Sequence, residues 1–546
     1  MKAEKILSIS LLAFVSLLAL ISALWLTRGA HGLPLDDAYI FRRYAENLSL
    51  GHGFSFNPGE TSFGCTSFLW PALVSAFLRI IDISHYAGVV QVLGTIFFGA
   101  SVFLCGLTLR NIKSHPLIIT AAALLTLASP SMFMNAVSGM ETSLFVFEVM
   151  LIAWMLMRPD PSMIWVGLVT GLIFLTRPEG LYFALAVPFA LLLQIWREPF
   201  PQKSQAKIKA MIKFAIPFLA LALPYIVFLW QKTGSLLPTT YRGKIMMAAD
   251  PGLLHRPVLE NIIHALLSLG DGWKLLLEPV GFFVGLALLL FSVYIGLRVI
   301  IQLARKKESD VPQAALIVLS GFLFLPAAYG YGFRVHPAFG GYYYRYIAAV
   351  LPCFAIIGCM GMEKFYNLIA EKIAFLSRSK TAIFATGFGL FLVYSDSIYY
   401  NNFTAAREVY RNEVLLNEGI RKDAALWIRE NTPADARVLV GYTGLGVVGS
   451  LCERYVLDMG ALINPDIFPY YEDTLPMSEK RWQRVVEYIR DRELNYYVTF
   501  FGPYPAPDPG ETPGFREKAR IGDQTETPYL PYSQIRIYEI ILKEGT

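Results

Sequence analysis

The first 400 residues are dominated by apolar runs that alternate with short polar loops. The runs fall near residues 6–27, 66–81, 86–109, 116–134, 141–157, 162–176, 181–196, 211–230, 276–303, 311–331, 346–366 and 381–400. A helix needs about 20 predominantly apolar residues to cross a bilayer, and several runs reach that length. The pattern predicts a polytopic α-helical membrane protein. Its first run is too long for a secretory signal and is interpreted as an uncleaved anchor.

Basic clusters indicate which loops face the cytoplasm, because Lys and Arg are enriched there. The clearest clusters lie at 1–5, 110–113, 197–209, 304–308 and 371–380. If every run crossed the membrane from a cytoplasmic N-terminus, all but the first cluster would fall outside. The conflict disappears if the short run at 66–80, which contains Pro71, lies in the membrane interface. The alternative is a short true span with a different helix missing elsewhere.

The interfacial interpretation predicts about 11 membrane-spanning helices, with interfacial helices in the first outer loop and the C-terminus outside. The outer face then collects residues 28–85, 135–140, 177–180, 232–275, 332–345 and everything after 400. The cytoplasmic loops are short. The function is therefore expected on the outer side.

The composition changes after Tyr400, where polar residues become frequent. Helix-like segments such as 418–433 and 478–494 alternate with strand-like runs at 437–442, 454–459, 495–501 and 534–541. This alternation predicts one small α/β domain. We therefore divide the chain into a transmembrane domain, 1–400, and an extracytoplasmic α/β domain, 401–546.

The second domain contains GLGVVG, in which Gly444, Gly446 and Gly449 have the spacing of a dinucleotide-binding loop. The next strand-like run leaves too few residues for a helical crossover of about a dozen. No acid sits at a strand end about 20 residues further on. The segment is therefore predicted to be a tight turn and not a cofactor site.

The composition agrees with a membrane protein, because the chain is 55% hydrophobic and 16% charged, whereas soluble domains average about 25% charged. The net charge of +5 follows the cytoplasmic loops and builds no basic face, so nucleic acid is not an expected partner. The five cysteines show no zinc-type spacing. Cys65 and Cys452 both fall on the predicted outer side, but no spacing supports a disulfide between them.

Two adjacent acids, Asp36 and Asp37, follow the first apolar run by a few residues. One of them can cap the helix whose apolar positions begin at Ala38, and the glycines of GHG can end that helix. A cap needs only one acid, and two carboxylates about 4 Å apart repel by about 1 kcal/mol even in water. The pair therefore suggests a partner that is cationic or carries a proton, as for a general base.

Other outer segments carry complementary side chains. Ser138 is expected to cap the helix that starts near Glu141, and tyrosines at a membrane interface are commonly anchors. Cations that can bind phosphate near a carboxylate base nevertheless favour a site for a phosphate-linked lipid substrate. The candidate substrate-binding residues are Arg43, His52, Asn57, Glu141, Arg177, Glu179, Tyr241, Arg242, Lys244, Tyr343 and Arg345.

The segment DDAYIFRRYAENLSLGHGFSFNPGE, followed by GCTSFLW, resembles the first outer loop of GT-C fold glycosyltransferases. It is most similar to the group that contains the bacterial cell-wall terminal arabinofuranosyltransferase. The similarity continues in SGMETSL, LTRPEG, LLPTTYRGK, GYYYRY and VGYTGLGVVGSLCERYVLDMGALINPD. GCTSFLW and TTYRGK depart from the usual pattern, which leaves the sugar and the acceptor open.

The resemblance implies an inverting transfer of a sugar from a polyprenyl-phosphate donor to a glycan or glycolipid acceptor at the bacterial inner membrane. An aspartate of the first loop would deprotonate the acceptor hydroxyl, and Arg or Lys would hold the leaving phosphate. Asp37 is favoured as the base and Asp36 for orientation or capping, although the sequence does not separate them. No cofactor is expected, but an acid pair can hold a divalent metal ion.

A transporter or flippase is the alternative function. Such a protein should carry charged residues within its spans and paired broken segments in two halves. Glu148 is a candidate for a charge within a span, and the chain shows no duplicated half.

Overall fold

The structure is a computed structural model. It describes residues 2–60, 62–158, 160–195, 202–234, 236, 240, 243, 282–304, 345, 348–441, 444–472, 474, 478–501, 509–522 and 534–541. The run predicted at 311–331 and the side chains of Tyr241, Arg242, Lys244 and Tyr343 lie outside these residues.

The described part of residues 1–416 is helical, and the helices follow the apolar runs. They are α1 (Lys2–Thr27), α2 (Asp36–Ser49), α3 (Leu69–Leu78), α4 (Tyr86–Asn111), α5 (Pro116–Leu127), α6 (Pro130–Val137), α7 (Thr142–Leu156), α8 (Met163–Thr176), α9 (Leu181–Ile195), α10 (Gln202–Thr233), α11 (Phe282–Ala304), α12 (Val350–Ala370), α13 (Ala374–Arg378) and α14 (Lys380–Leu416).

Four of the described helical segments are long and apolar enough to cross a bilayer. They are Ile9–Thr27, Ile83–Asn111, Gln205–Lys232 and Val350–Ala370. Shorter apolar helices accompany them, and the predicted run at 116–134 is divided into α5 and α6. Pro130 explains the division, because proline lacks a backbone N–H and is best placed in the first turn of a new helix. The count of 11 spans stays a prediction.

The run at 66–80 forms only the ten-residue helix α3. At 1.5 Å per residue it is about 15 Å long, which is half the thickness of a bilayer core of about 30 Å. The backbone N–H of Phe68 donates to Leu175 O at 3.0 Å, and Trp70 Nε1 donates to Gly139 O at 2.9 Å. This short helix, tied to the ends of two apolar helices, is consistent with the predicted interfacial position.

The remainder of the chain contains a five-stranded mixed sheet. Its strands are β1 (Arg437–Val440), β2 (Tyr455–Asp458), β3 (Tyr496–Phe501), β4 (Phe515–Ile521) and β5 (Gln534–Ile540), in the order β2-β1-β3-β5-β4. β1 pairs in parallel with β2 and β3, whereas β5 pairs antiparallel with β3 and β4. Four strands follow the predicted runs, and β4 was not predicted.

Helices cover this sheet and connect it to the membrane helices. A kink at Gly419, within Asn417–Arg421, separates α14 from α15 (Lys422–Asn431). The helices α16 (Leu445–Leu451), α17 (Phe468–Tyr471) and α18 (Glu479–Asp491) follow. Ser478 begins α18, because its hydroxyl accepts from the backbone N–H of Arg481 at 3.2 Å. The predicted domain boundary at 400/401 falls inside the continuous helix α14, and the boundary stays a prediction.

The GLGVVG segment differs from its prediction. It forms the short helix α16 between the parallel strands β1 and β2, with Gly444 at the N-cap, so the predicted tight turn is wrong. Seven helical residues complete the crossover because loops on both sides of α16 supply the remaining length. All five cysteines are buried and free, so Cys65 and Cys452 form no disulfide.

Candidate active site

Helix α2 carries the acid pair in its first turn, where the helix dipole favours negative charge. Its N-cap is Leu35, and no side chain caps the helix. The expectation that Asp36 or Asp37 caps its own helix is therefore wrong. The C-terminal end agrees with the sequence, because Gly51 just beyond it adopts a left-handed φ of 83°.

Asp36 is bound by the sheet-containing part of the chain. Its Oδ2 accepts from the backbone N–H of Gly446 at 2.9 Å, and its Oδ1 accepts from the backbone N–H of Val447 at 2.9 Å. Gly446 and Val447 are the second and third residues of α16. Their backbone N–H groups are the ones that normally donate to the side chain of an N-capping residue. Arg421 Nε lies 4.0 Å from Asp36 Oδ1. Asp36 thus caps a helix that begins about 400 residues further along the chain.

Burial and its partners act in opposite directions on Asp36. Desolvation raises the pKa of its carboxyl, whereas the Arg421 guanidinium and the amides of Val447 and Gly446 lower it. The adjacent Asp37 adds a smaller upward contribution to this pKa. The net direction is upward from the ordinary value of 3.8.

Asp37 points to a different partner. Its Oδ2 lies 3.2 Å from Arg345 Nη2, and the two residues are 308 positions apart. The Asp37 side chain is 28% exposed, whereas the Arg345 side chain is 6% exposed. We call Asp36, Asp37, Arg345 and Arg421 the acid-pair cluster. Within it, Asp36 is held on both oxygens, and Asp37 remains partly open.

A second charged cluster surrounds Arg177, and we call it the Arg177 cluster. Arg177 Nη1 lies 2.7 Å from Glu141 Oε1, and its Nη2 lies 2.9 Å from Glu179 Oε1. The side chains of Arg177 and Glu141 are 4% and 0% exposed. Two carboxylates thus share this guanidinium, which makes it a poor phosphate ligand. The described ion pairs of Arg177 are with Glu141 and Glu179, and none of them involves Asp36 or Asp37.

Ser138 precedes this cluster and does not cap α7. Its hydroxyl accepts from the backbone N–H of Met140 at 3.2 Å, and the N-cap of α7 is Glu141 without a side-chain cap. The expected cap is therefore wrong, because the hydroxyl is used within the preceding turn.

The first outer loop uses two of its candidate residues as structural contacts. Arg43 donates to Phe56 O at 3.1 Å and to Glu46 Oε2 at 3.3 Å. Asn57 is buried, and its amide pairs with both the carbonyl (2.8 Å) and the N–H (3.1 Å) of Val456 on β2. Both side chains tie the loop in place, so we leave them out of the proposed site.

His52 follows helix α2 and is exposed. Its backbone N–H donates to Asn47 O at 2.8 Å. The structure shows no contact between its ring and the acid-pair cluster, and substrate binding by His52 stays an untested prediction.

Gly243 belongs to the LLPTTYRGK segment and lies close to the loop after β2. A Cβ atom on Gly243 would lie 2.7 Å from Gly460 O, so only glycine permits this approach. Gly460 belongs to that loop. Substrate binding by Tyr241, Arg242 and Lys244 stays a prediction.

Asp458 ends β2 and is a third acid close to the pair. Its Oδ1 and Oδ2 accept from the backbone N–H groups of Gly460 and Leu462, each at 2.9 Å. Burial raises the pKa of its carboxyl to about 7, and the negative charges of Asp36 and Asp37 act in the same direction. The two amides act in the opposite direction.

Sequence reasoning missed several groups at this site. Arg421 lies in a run of charged residues that is typical of a solvated helix face. Glu413, whose pKa burial raises and Arg421 lowers, lies in the same kind of run. The amides of Gly446 and Val447 have no side-chain signature. Asp458 carried one usable signal, because it ends an apolar strand inside a segment that contributed to the resemblance.

The described residues contain no group of three His, Cys, Asp or Glu side chains that could hold a metal ion. Both oxygens of Asp36 accept amide protons, and Asp37 faces a guanidinium. In this arrangement the carboxylate oxygens of Asp36 and Asp37 are not placed to bind a divalent cation. We therefore derive no reaction step that uses a metal ion.

Comparison with known proteins gives similarity of fold. No protein-family model matches the chain, and no curated protein matches it. The archaeal oligosaccharyltransferase AglB from Archaeoglobus fulgidus, solved in complex with an inhibitory peptide and a dolichol-phosphate, matches with a TM-score of 0.56 and 13% identity, over 90% of this chain and 69% of that one.

ArnT from Cupriavidus metallidurans, solved bound to undecaprenyl phosphate, matches with a TM-score of 0.53 and 11% identity, over 96% of this chain and 97% of that one. The arabinofuranosyltransferase AftD from Mycobacteria reaches a TM-score of 0.47, which carries no argument for the sugar. At these identities the likeness concerns the fold alone. The chain shares the fold of AglB and ArnT, which is the GT-C fold that its first-loop motif predicted.

Proposed function

We propose that this chain is an inverting glycosyltransferase that moves a sugar from a polyprenyl-phosphate donor to an acceptor hydroxyl on the outer face of a bacterial inner membrane. The observation that carries the proposal is the pair of Asp37 and the buried Arg345, at 3.2 Å, on a GT-C fold. A partly open carboxylate beside a buried guanidinium provides a base and a phosphate ligand at one place.

The reaction follows from these two groups. Asp37 takes the proton of the acceptor hydroxyl as its oxygen attacks the anomeric carbon of the donor. The bond between that carbon and the phosphate oxygen breaks, and polyprenyl phosphate leaves with the electron pair. Arg345 stabilises the negative charge on the phosphate. The anomeric configuration inverts because attack and departure occur on opposite faces of the sugar.

The structure supports Asp37 rather than Asp36 as the base. A base needs an oxygen that the substrate proton can reach. Both oxygens of Asp36 accept backbone N–H groups, and its side chain is 13% exposed. The Asp37 side chain is 28% exposed and pairs through one oxygen.

The lipid is proposed from the similar structures, which were solved with dolichol-phosphate and with undecaprenyl phosphate. The sugar remains a choice between arabinofuranose and another pentose or hexose. The acceptor is a glycan or glycolipid at the bilayer surface. Lys244 and Arg242 are proposed as further phosphate contacts, and Tyr343 as a contact to the sugar or lipid.

The test uses the full chain in lipid nanodiscs, with a panel of undecaprenyl- and decaprenyl-phosphate sugars and synthetic glycan acceptors. We expect a glycosidic product of inverted configuration by mass spectrometry and NMR. The Asp36→Asn/Asp37→Asn double variant should lose transfer and keep binding of undecaprenyl phosphate. Full transfer in that variant would overturn the proposal.

A flippase or transporter is the second candidate, and one observation favours it. Glu148 is buried in the apolar helix α7, where its Oε1 accepts from Thr176 Oγ1 at 3.0 Å and its Oε2 has no hydrogen-bond partner among the described residues. Charges within spans commonly mark transport paths. Flux of a lipid-linked sugar in proteoliposomes without any glycosidic product would favour this function over transfer.

A further inference from the structure

We propose that Gly446 is a positioning residue of the active site, through which the sheet-containing domain holds Asp36 and so sets the place of Asp37. This inference rests on the proposed function. The experiment below distinguishes a failure of the positioning role from a failure of the proposed function. It makes the C-terminal domain a working part of the catalytic centre.

The contact is specific to the Asp36 carboxylate. Its two oxygens each accept one amide proton, from Gly446 and Val447, at 2.9 Å. Arg421 approaches from the segment that joins the membrane helices to the domain, at 4.0 Å. Two amides and a guanidinium thus converge on one carboxylate from outside its own helix. Such hydrogen bonds to a charged group are stronger than neutral ones.

Gly446 is required by the closeness of the contact. A Cβ atom there would lie 1.8 Å from Asp36 O and 2.9 Å from Asp36 Cγ. Gly444 differs, because the nearest described atoms to its Cβ would belong to Val448 and Val440 of its own domain, at 3.3 Å or more. A methyl group at residue 446 therefore displaces the start of α2, whereas one at residue 444 does not.

Other contacts hold α2 and its loop against the domain without Asp36. Asn57 pairs with both backbone groups of Val456, and Arg42 donates to Ser450 O at 3.4 Å. The Tyr39 hydroxyl donates to Glu418. These contacts allow the first turn of α2 to shift while the domain stays docked.

A shift of Asp36 moves Asp37, because the two residues are adjacent in one helical turn. A misplacement of about 1 Å in a reacting group can cost about 10²-fold in rate. The effect should appear in kcat, because the Arg345 guanidinium that holds the phosphate comes from another part of the chain. The KM for the donor should change much less.

The experiment compares full-length Gly446→Ala with Gly444→Ala in nanodiscs. We expect Gly446→Ala to lower kcat by about 10- to 100-fold, with affinity for undecaprenyl phosphate unchanged, and Gly444→Ala to remain near wild type. Asp36→Asn is the second variant, because its amide NH₂ cannot accept a backbone proton. If Gly446→Ala lowers the melting temperature strongly, Asp36→Asn becomes the test of positioning. We expect Asp36→Asn to lower kcat by the same factor as Gly446→Ala.

A double-mutant cycle with Asp37→Asn distinguishes positioning from a general structural role. If Gly446 acts by placing Asp37, Gly446→Ala should add little to the loss caused by Asp37→Asn. Full additivity, or wild-type kcat in both Gly446→Ala and Asp36→Asn, would overturn the inference. An Asp37→Asn variant with full activity would instead overturn the proposed function itself.

Discussion

The acid-pair cluster and the Arg177 cluster both combine two carboxylates with arginine, and they differ in how far their carboxylates are exposed and shared. In the Arg177 cluster two carboxylates share one guanidinium, and Arg177 and Glu141 are 4% and 0% exposed. In the acid-pair cluster the two acids have different partners, and Asp37 is 28% exposed. The difference indicates that charge type alone does not mark a site. What matters is a partly open carboxylate beside a buried guanidinium.

The origin of the residues also separates the two clusters. Glu141 is the N-cap of α7, and Arg177 and Glu179 lie between α8 and α9, so the Arg177 cluster joins segments that are close in the sequence. The acid-pair cluster joins α2 with Arg345, Arg421 and the first turn of α16. It therefore forms only when distant parts of the chain assemble, which suits a site where donor and acceptor must meet.

Replacement of Asp37 should give the largest effect. Because general base catalysis contributes about 10²–10⁴-fold, Asp37→Asn should lower kcat by that factor, measured as product formed per enzyme per minute. The matched control is Glu60→Gln, which changes an exposed acid of the same loop that contacts only Tyr455 in the described contacts. A similar loss in both variants would show that the effect is not specific to the acid pair.

Replacement of Arg177 should act on stability. Arg177→Gln leaves Glu141 and Glu179 close together without their shared cation, and breaking a buried ion pair typically costs about 3–5 kcal/mol. We expect a clear fall in the melting temperature, measured in detergent by tryptophan fluorescence.

Arg345→Gln should instead weaken binding of undecaprenyl phosphate by at least about tenfold, because a charge-assisted hydrogen bond is lost.

The reverse result would break the comparison. If Arg177→Gln lowered lipid-phosphate affinity at unchanged melting temperature, the Arg177 cluster would be the phosphate site.

Asp458 should make the stability of the chain depend on pH. Its pKa is about 7 in the folded state and ordinarily 3.8, so the folded state binds its proton more tightly than the unfolded state. The stabilisation is fully present below about pH 3.8 and is lost as the pH rises through 7. The two pKa values correspond to an upper limit of roughly 4 kcal/mol.

The measurement is the melting temperature of wild type and Asp458→Asn between pH 5 and 8. We expect wild type to lose stability over this range more steeply than the variant, because Asn cannot titrate. The comparison is needed because Asp36 and Glu413, whose pKa values are also raised by burial, change stability in the same direction. Parallel pH curves would contradict the assignment to Asp458.

The smallest effects are expected in the loop after α2. Asn57→Ala leaves two backbone groups of Val456 without their side-chain partner, which typically costs about 1–3 kcal/mol. His52→Ala changes an exposed residue and should stay within about 0.5 kcal/mol. Chemical denaturation of both variants measures the difference. A larger loss of transfer activity in His52→Ala than in Asn57→Ala would support substrate binding by His52.

The helices and the acid pair could be predicted because each is visible in a short stretch of sequence. Long apolar runs indicate the helices, and two adjacent acids just beyond an apolar run are unfavourable unless a partner offsets their repulsion. The balance of basic loops, which is a global constraint on topology, predicted that the run at 66–80 lies in the interface without crossing the membrane. The structure gives this run a helix of ten residues, and its interfacial position stays a prediction. The motif in the first loop led to the fold, because its residues are contiguous in sequence.

The partners of the acids could not be predicted, because they have no local trace. Asp36 is held by amides of residues 446 and 447, and every peptide carries an amide. Arg421 resembles an exposed helix residue until the chain folds back on α2. The spacing of Gly444, Gly446 and Gly449 is visible in the sequence. The close contact that requires Gly446 is not, because it is made with Asp36, 410 residues away.

The most direct test of the central claim is a cryo-EM structure of the full chain in nanodiscs with undecaprenyl phosphate. The account predicts phosphate density within hydrogen-bond distance of the Arg345 guanidinium and beside Asp37, with the Asp36 contact to Gly446 retained. Phosphate density bound at the Arg177 cluster, or distant from both aspartates, would contradict it.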